Sequence, residues 1–215
     1  MFQLEALLFG TAGFLDDKFD DDYANELRKE FIFLKRKYGL QPLKKHAWKF
    51  LRLRPANFPT VRLAQFAQLI FKSSHLFSKI LDAPGTKAIA SFFNLEASAY
   101  WTDHYRFDKL SSKKKKPFGK SSTELLMINT ISPFMFVYGK LRGEENYCLH
   151  ALQLLEHTVP EKNIITENWK KLGIAAGNAF ETQALLELRN EYCKNFRCLD
   201  CAIGHKILLA GNNQL

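Results

Sequence analysis

From Phe31 to Leu81 the chain contains no aspartate or glutamate, although these 51 residues carry eleven lysines and arginines. A stretch of one sign cannot neutralise itself, and it points to an anionic partner rather than to any particular fold. No apolar run reaches the roughly 18 residues that a membrane-spanning helix needs. The longest candidate, Leu125 to Tyr138, is broken by Asn129, Thr130, Ser132 and Pro133. The opening MFQLEALLFG has no basic leader and sets Glu5 among apolar residues, so a secretory signal is not expected and a soluble cytoplasmic protein is. Nucleophile elbow, zinc-protease motif and glycine-rich dinucleotide turn are all missing. Gly119-Lys120-Ser121 falls short of a phosphate-binding loop, because position 114 is lysine where that motif requires glycine. No catalytic residue is therefore assigned.

What is present is the composition of a globular protein, 47% hydrophobic with nineteen phenylalanines in 215 residues. The length suits one domain or two small ones, and the chain is read as a single helical domain over 1–215. Charge is segregated. Residues 1–30 carry a net −5, residues 31–81 carry +11, and residues 109–122 carry +6 within a total of +9.

The pattern is mainly α, an irregular helical bundle. Tyr23, Leu27, Phe31, Leu34 and Tyr38 recur at helical spacing, with Asp20, Asp21 and Asp22 at the start and Gly39 at the end. Pro59 suits the first turn of a second helix with Leu63, Phe66, Ala67 and Ile70 inward and Arg62, Gln65, Gln68 and Lys72 outward. Two further helices are expected over about 144–157 and 178–192, by the same spacing rule. The segment DKLSSKKKKPFGKSS reads as a mobile lysine loop, and the aromatic-dense AYWTDHYRF before it could be extended. No alternating strand pattern stands out.

Three cysteines fall within nine residues, as Cys193-x4-Cys198-x2-Cys201, and His205 follows four residues later. Thiolates at such spacing can wrap one tetrahedral ion with an imidazole as fourth ligand, so a structural zinc would clamp the C-terminal tail. Cys148 competes with His205 as fourth ligand, and four thiolates would suit an iron–sulfur cluster. Reduced thiols packed as small apolar groups, or a redox Cys-x-x-Cys, are the other readings.

In the acid-free stretch the cations Lys44, Lys45, Lys49, Arg52, Arg54 and Arg62 are interleaved with Trp48, Phe50 and Phe58. Charges for phosphates beside flat rings for bases suit single-stranded nucleic acid, with Trp48 the ring best placed to stack and Phe50 and Phe58 assigned to the core. Lys114, Lys115 and Lys120 of the lysine loop could add phosphate contacts just before a helix start. The neighbours Asp103 and His104 are the nearest approach to an acid–base pair, although adjacent residues rarely face the same way.

The segments LLFGTAGFLDD, RPANFPTVRLAQFAQL, FGKSSTELLMINTISPFMFVYGK and EYCKNFRCLDCAIGHKILL resemble a bacterial family without assigned function, domain of unknown function 2851. The resemblance implies that Cys193, Cys198, Cys201 and His205 match a recurring family motif. It also implies a further, nuclease-like N-terminal half in most members, with this chain corresponding to the C-terminal half. The expectation is a non-catalytic nucleic-acid-binding domain, accessory to DNA or RNA processing. The alternatives are a module for an acidic protein partner and a helical enzyme built around His104.

Overall fold

The structure, a computed structural model, describes residues 1–211. Helix α1 spans Phe2–Thr11 and α2 spans Asp22–Tyr38. The local chemistry of α2 is the one expected from the sequence. Asp21 caps its start by accepting the Tyr23 N–H at 2.8 Å, Leu27, Phe31 and Leu34 are buried, and Gly39 turns left-handed to end it; of the expected stripe only Tyr38, in the last turn, stands exposed. Against it α1 buries Ala6, Phe9 and Gly10.

Between α2 and helix α3 (Pro59–Lys72) the acid-free stretch forms no long helix, only short 3₁₀ turns at Lys45–Ala47 and Pro55–Asn57. It is held to the end of α1 by three contacts. The Leu43 N–H donates to the Thr11 carbonyl at 2.7 Å, and Trp48 Nε1 donates to the Ala12 carbonyl at 2.7 Å. Gly13, at φ 75°, makes the third: a Cβ there would overlap the Leu43 carbonyl oxygen.

Proline opens α3 as expected, but its buried face is Thr60, Val61, Ala64, Gln65 and Ala67. Phe66 and Ile70 are exposed, which corrects the assignment made from spacing. Small residues let α3 approach closely, and the Gln65 amide is satisfied inside by the carbonyls of Lys116 and Pro117, each at 3.1 Å. Helices α4 (Leu76–Leu81) and α5 (Thr86–Phe92) follow. The AYWTDHYRF segment then ends in strand β1 (His104–Arg106), antiparallel to β2 (Lys109–Leu110), and Thr60 Oγ1 donates to the Tyr105 carbonyl at 2.6 Å.

The chain packs as two compact units, one of residues 1–82 and 88–120, the other of residues 83–87 and 121–215. In the second, α6 (Lys120–Leu126) passes through a wide π turn at Met127–Ile131 into α7 (Ser132–Arg142), which pairs with α8 (Glu145–Glu156). Ser132 Oγ donates to the Ala151 carbonyl at 2.7 Å across that pair. Helix α9 (Ile164–Lys171) opens on an Asn163–Thr166 capping box, and α10 (Ala179–Glu187) runs into a second π turn at Leu188–Cys193. Helix α11 (Ala202–Gly211) closes the described chain. The fold is mainly α, and no described helix is long and apolar enough to cross a membrane.

The core of the first unit is built on rings: Phe9 stacks on Trp101 with centroids 5.0 Å apart, and Phe107 meets both. An acid lies inside it. Glu5 is fully buried and accepts a hydrogen bond from the Tyr23 hydroxyl. Its other oxygen, Oε1, has no aligned partner among the described residues, nor do Ser98 Oγ and Trp101 Nε1, which act on the same carboxyl. Burial outweighs these donors and pushes the Glu5 carboxyl above its ordinary value. Tyr23 stacks on Tyr100 at 4.4 Å and Tyr100 on His104 at 4.1 Å. The Tyr100 hydroxyl donates to Asp21 Oδ2 at 2.5 Å, and His104 Nδ1 lies 2.8 Å from Asp103 Oδ1. Asp103 and His104 therefore do face each other, against the expectation for neighbours. They do so within a half-buried stack that joins α2 to the strand.

Two outcomes follow from this packing. Gly13→Ala should lose about 1–3 kcal/mol more stability than Gly39→Ala in urea unfolding, since both have positive φ but only Gly13 has backbone in the way. Glu5 retains its proton on folding more readily than when unfolded. Its contribution is thus full below 4.5, the ordinary value, and is lost as pH rises through the raised folded value. Comparing wild type with Glu5→Gln by urea unfolding between about pH 4 and pH 8 should show the variant gaining relative stability as pH rises. Parallel curves would remove Glu5 from the account.

Candidate nucleic-acid interface

Lys44, Lys49, Arg52 and Arg54 project from the irregular stretch, all exposed, and none forms an ion pair among the described residues. The stretch is anchored by two of its rings, Trp48 and Phe50, which pack against the core, while Leu43, Leu51 and Leu53 stay exposed with the cations. Phe14 meets the ring of Trp48 at 5.5 Å and that of Phe50 at 5.9 Å. Trp48 is thus half-buried with its N–H already bonded, and it anchors the stretch rather than offering an open stacking face. Lys45 pairs with Asp17. Arg62 is likewise engaged inward: Nη1 donates to Gln65 at 3.0 Å, Nη2 to Asn57 at 2.7 Å, and its guanidinium lies 5.2 Å from the Phe118 ring. Burial lowers its pKa.

Beside the stretch a cavity of about 370 Å³ is lined by Lys18, Lys45, Phe50, Arg106 and Lys109, with the carboxylates of Asp17 and Asp108. The Arg106 guanidinium lies between two rings, 4.2 Å from the Phe50 centroid and 4.7 Å from that of Phe58. Its Nε is buried without an acceptor, and no carboxylate among the described residues pairs with it. The tight β1–β2 turn, with Asp108 at φ 58°, sets Arg106 opposite Lys109. Asp108 is already engaged, accepting the Asp21 N–H at 3.0 Å.

Of the residues singled out in the sequence as nucleic-acid contacts, only Lys45 lines this cavity. Lys18, Arg106 and Lys109 were missed. Their sequence signal is slight, because a three-residue strand and a tight turn bring Arg106 and Lys109 together with no long pattern to announce it.

The lysine loop is tied down, which corrects the expectation of a mobile segment. The Lys114 N–H donates to the Thr102 carbonyl at 2.8 Å, and the Phe118 N–H to the Leu95 carbonyl at 2.8 Å. Lys116 is 5% exposed, with Nζ on the Thr102 carbonyl at 2.8 Å and 4.2 Å from the Tyr105 ring; burial lowers its pKa. Lys114, Lys115 and Lys120 remain exposed, and Lys115 reaches Glu96 at 3.4 Å.

At the C-terminal end Cys193 and Cys198 are exposed, Cys201 is half-exposed and Cys148 is buried. Cys148 donates weakly to the Phe136 carbonyl at 3.5 Å inside the α7–α8 pair. The His205 N–H bonds the Cys201 carbonyl at 2.8 Å, so these two share the first turn of α11. The donors are nevertheless not assembled: among the described residues no three His, Cys, Asp or Glu side chains are grouped to hold one ion.

No curated protein and no solved structure matches the chain. The family model described as a protein of unknown function (DUF2851) matches residues 1–164. The match takes in the acid-free stretch and the cavity and stops before Cys193, so it lends the cysteine cluster nothing. Matched over most of its length, the chain belongs to the DUF2851 family.

Proposed function

We propose that this protein is a non-catalytic module that binds single-stranded nucleic acid along residues 44–54. One observation carries the reading: in a stretch devoid of acids, Lys44, Lys49, Arg52 and Arg54 are all exposed on one anchored segment and unpaired among the described residues. Cations so placed replace counterions along a phosphate backbone without selecting a sequence. The adjoining cavity, with Phe50 in its wall, favours strands whose bases can leave the stack.

Affinity for a random single-stranded oligonucleotide, measured by fluorescence anisotropy, should fall steeply with salt. Changing Lys44, Lys49, Arg52 and Arg54 together to Gln should weaken binding on every sequence and flatten the log–log salt slope by about 3, at roughly 0.7 for each phosphate no longer neutralised. Failure of any oligonucleotide to bind at low ionic strength would overturn the proposal and favour an acidic protein partner.

A further inference from the structure

The cavity beside the basic stretch has more positive charge than the protein itself uses. Lys18, Lys45, Arg106 and Lys109 face two carboxylates, Asp17 and Asp108. Asp17 is taken by Lys45 and Asp108 by a backbone N–H, which leaves Lys18, Arg106 and Lys109 without a carboxylate partner among the described residues. The formal excess is two positive charges. Lys18 and Lys109 are exposed and could be served by solvent. Arg106 differs: its guanidinium is fixed between Phe50 and Phe58, and its Nε is sealed from water without an acceptor. A cation held rigidly at a cavity wall with no counter-ion is preorganised for an anion from outside, because the geometry is already fixed before binding.

We infer that this cavity binds a phosphomonoester carried on a nucleotide, in the first instance the phosphorylated end of a strand lying on residues 44–54. Charge selects the monoester. At neutral pH it carries close to two negative charges and three acceptor oxygens, matching the excess, whereas an internal diester carries one. Size and lining agree. A volume of about 370 Å³ admits one nucleotide, and Phe14, Phe19 and Phe50 supply apolar wall for its base. The inference rests on the nucleic-acid reading for the strand but not for the phosphate, since a free nucleoside monophosphate presents the same chemistry.

The test compares four ligands on the full chain by anisotropy and competition. They are one oligonucleotide with a 5′-phosphate, with a 3′-phosphate and with hydroxyl ends, and a nucleoside monophosphate. A phosphate at one end should bind about tenfold tighter than hydroxyl ends. Arg106→Gln should abolish the difference between phosphorylated and hydroxyl-ended strands, and the surface variant Lys109→Gln should reduce that difference without risk to folding. Equal affinity of phosphorylated and hydroxyl-ended strands would overturn the inference and leave the basic stretch standing. Should no strand bind while the monophosphate binds and Arg106→Gln abolishes it, the cavity stands as a mononucleotide site and the strand reading falls. Binding of neither kind of ligand sinks both.

Discussion

The close approach of Leu43 to Gly13 is the contact on which the charged surface of the first unit depends. A segment of eleven cations without acids has no electrostatic reason to lie against its own fold, and its like charges repel one another. It is held by neutral contacts instead. A left-handed glycine leaves room for the Leu43 carbonyl, the Leu43 N–H closes on Thr11, and the Trp48 indole closes on Ala12. Each of these lies at the C-terminal end of α1, where carbonyls are left without helical partners. The end of one helix thus serves as the anchor for a segment that forms no long helix of its own.

The same separation of tasks runs through the aromatic residues. Trp48, Phe14 and Phe50 form a continuous ring contact beneath the stretch, and Phe50 passes the contact to Phe58. Phe50 and Phe58 then hold Arg106 between them. Rings therefore fix both the backbone that carries the exposed cations and the guanidinium that lines the cavity. Nearby carboxylates are kept from neutralising the site: Asp108 is tied to a backbone N–H, Asp21 caps α2 and accepts from Tyr100, and of these neighbours Asp17 alone reaches a lysine.

What could be read from the sequence was the part decided locally. Asp21, Gly39 and Pro59 mark helix ends by chemistry confined to a few residues, and those ends stand where expected. The buried face of α3 could not be read that way. Spacing favoured Phe66 and Ile70, but the inward position went to Gln65, whose two partners lie about fifty residues away at Lys116 and Pro117. The lysine loop failed for the same reason: its composition suits a solvated loop, yet carbonyls at Leu95 and Thr102 bind it. At the site, Lys44, Lys49, Arg52 and Arg54 were legible because exposure is what a cation does by default. Arg106 was not, since its significance lies in two rings from another segment and in the lack of a carboxylate paired with it among the described residues.

Buried polar groups show where this unit departs from a purely apolar core. Glu5, Tyr23, Tyr100 and His104 form a column that runs from the buried carboxyl, whose proton burial helps retain, to the strand, with Asp21 accepting from Tyr100 along the way. Such a column adds less stability than apolar packing would, because each group must find a partner before its desolvation is offset. It gives orientation instead. The stack ties α2 to the strand carrying Arg106, while Thr60 fixes that strand to α3. A cation poised between rings needs its backbone held to within a fraction of an ångström, and directional hydrogen bonds around His104 supply that constraint where a layer of interchangeable methyl groups would not.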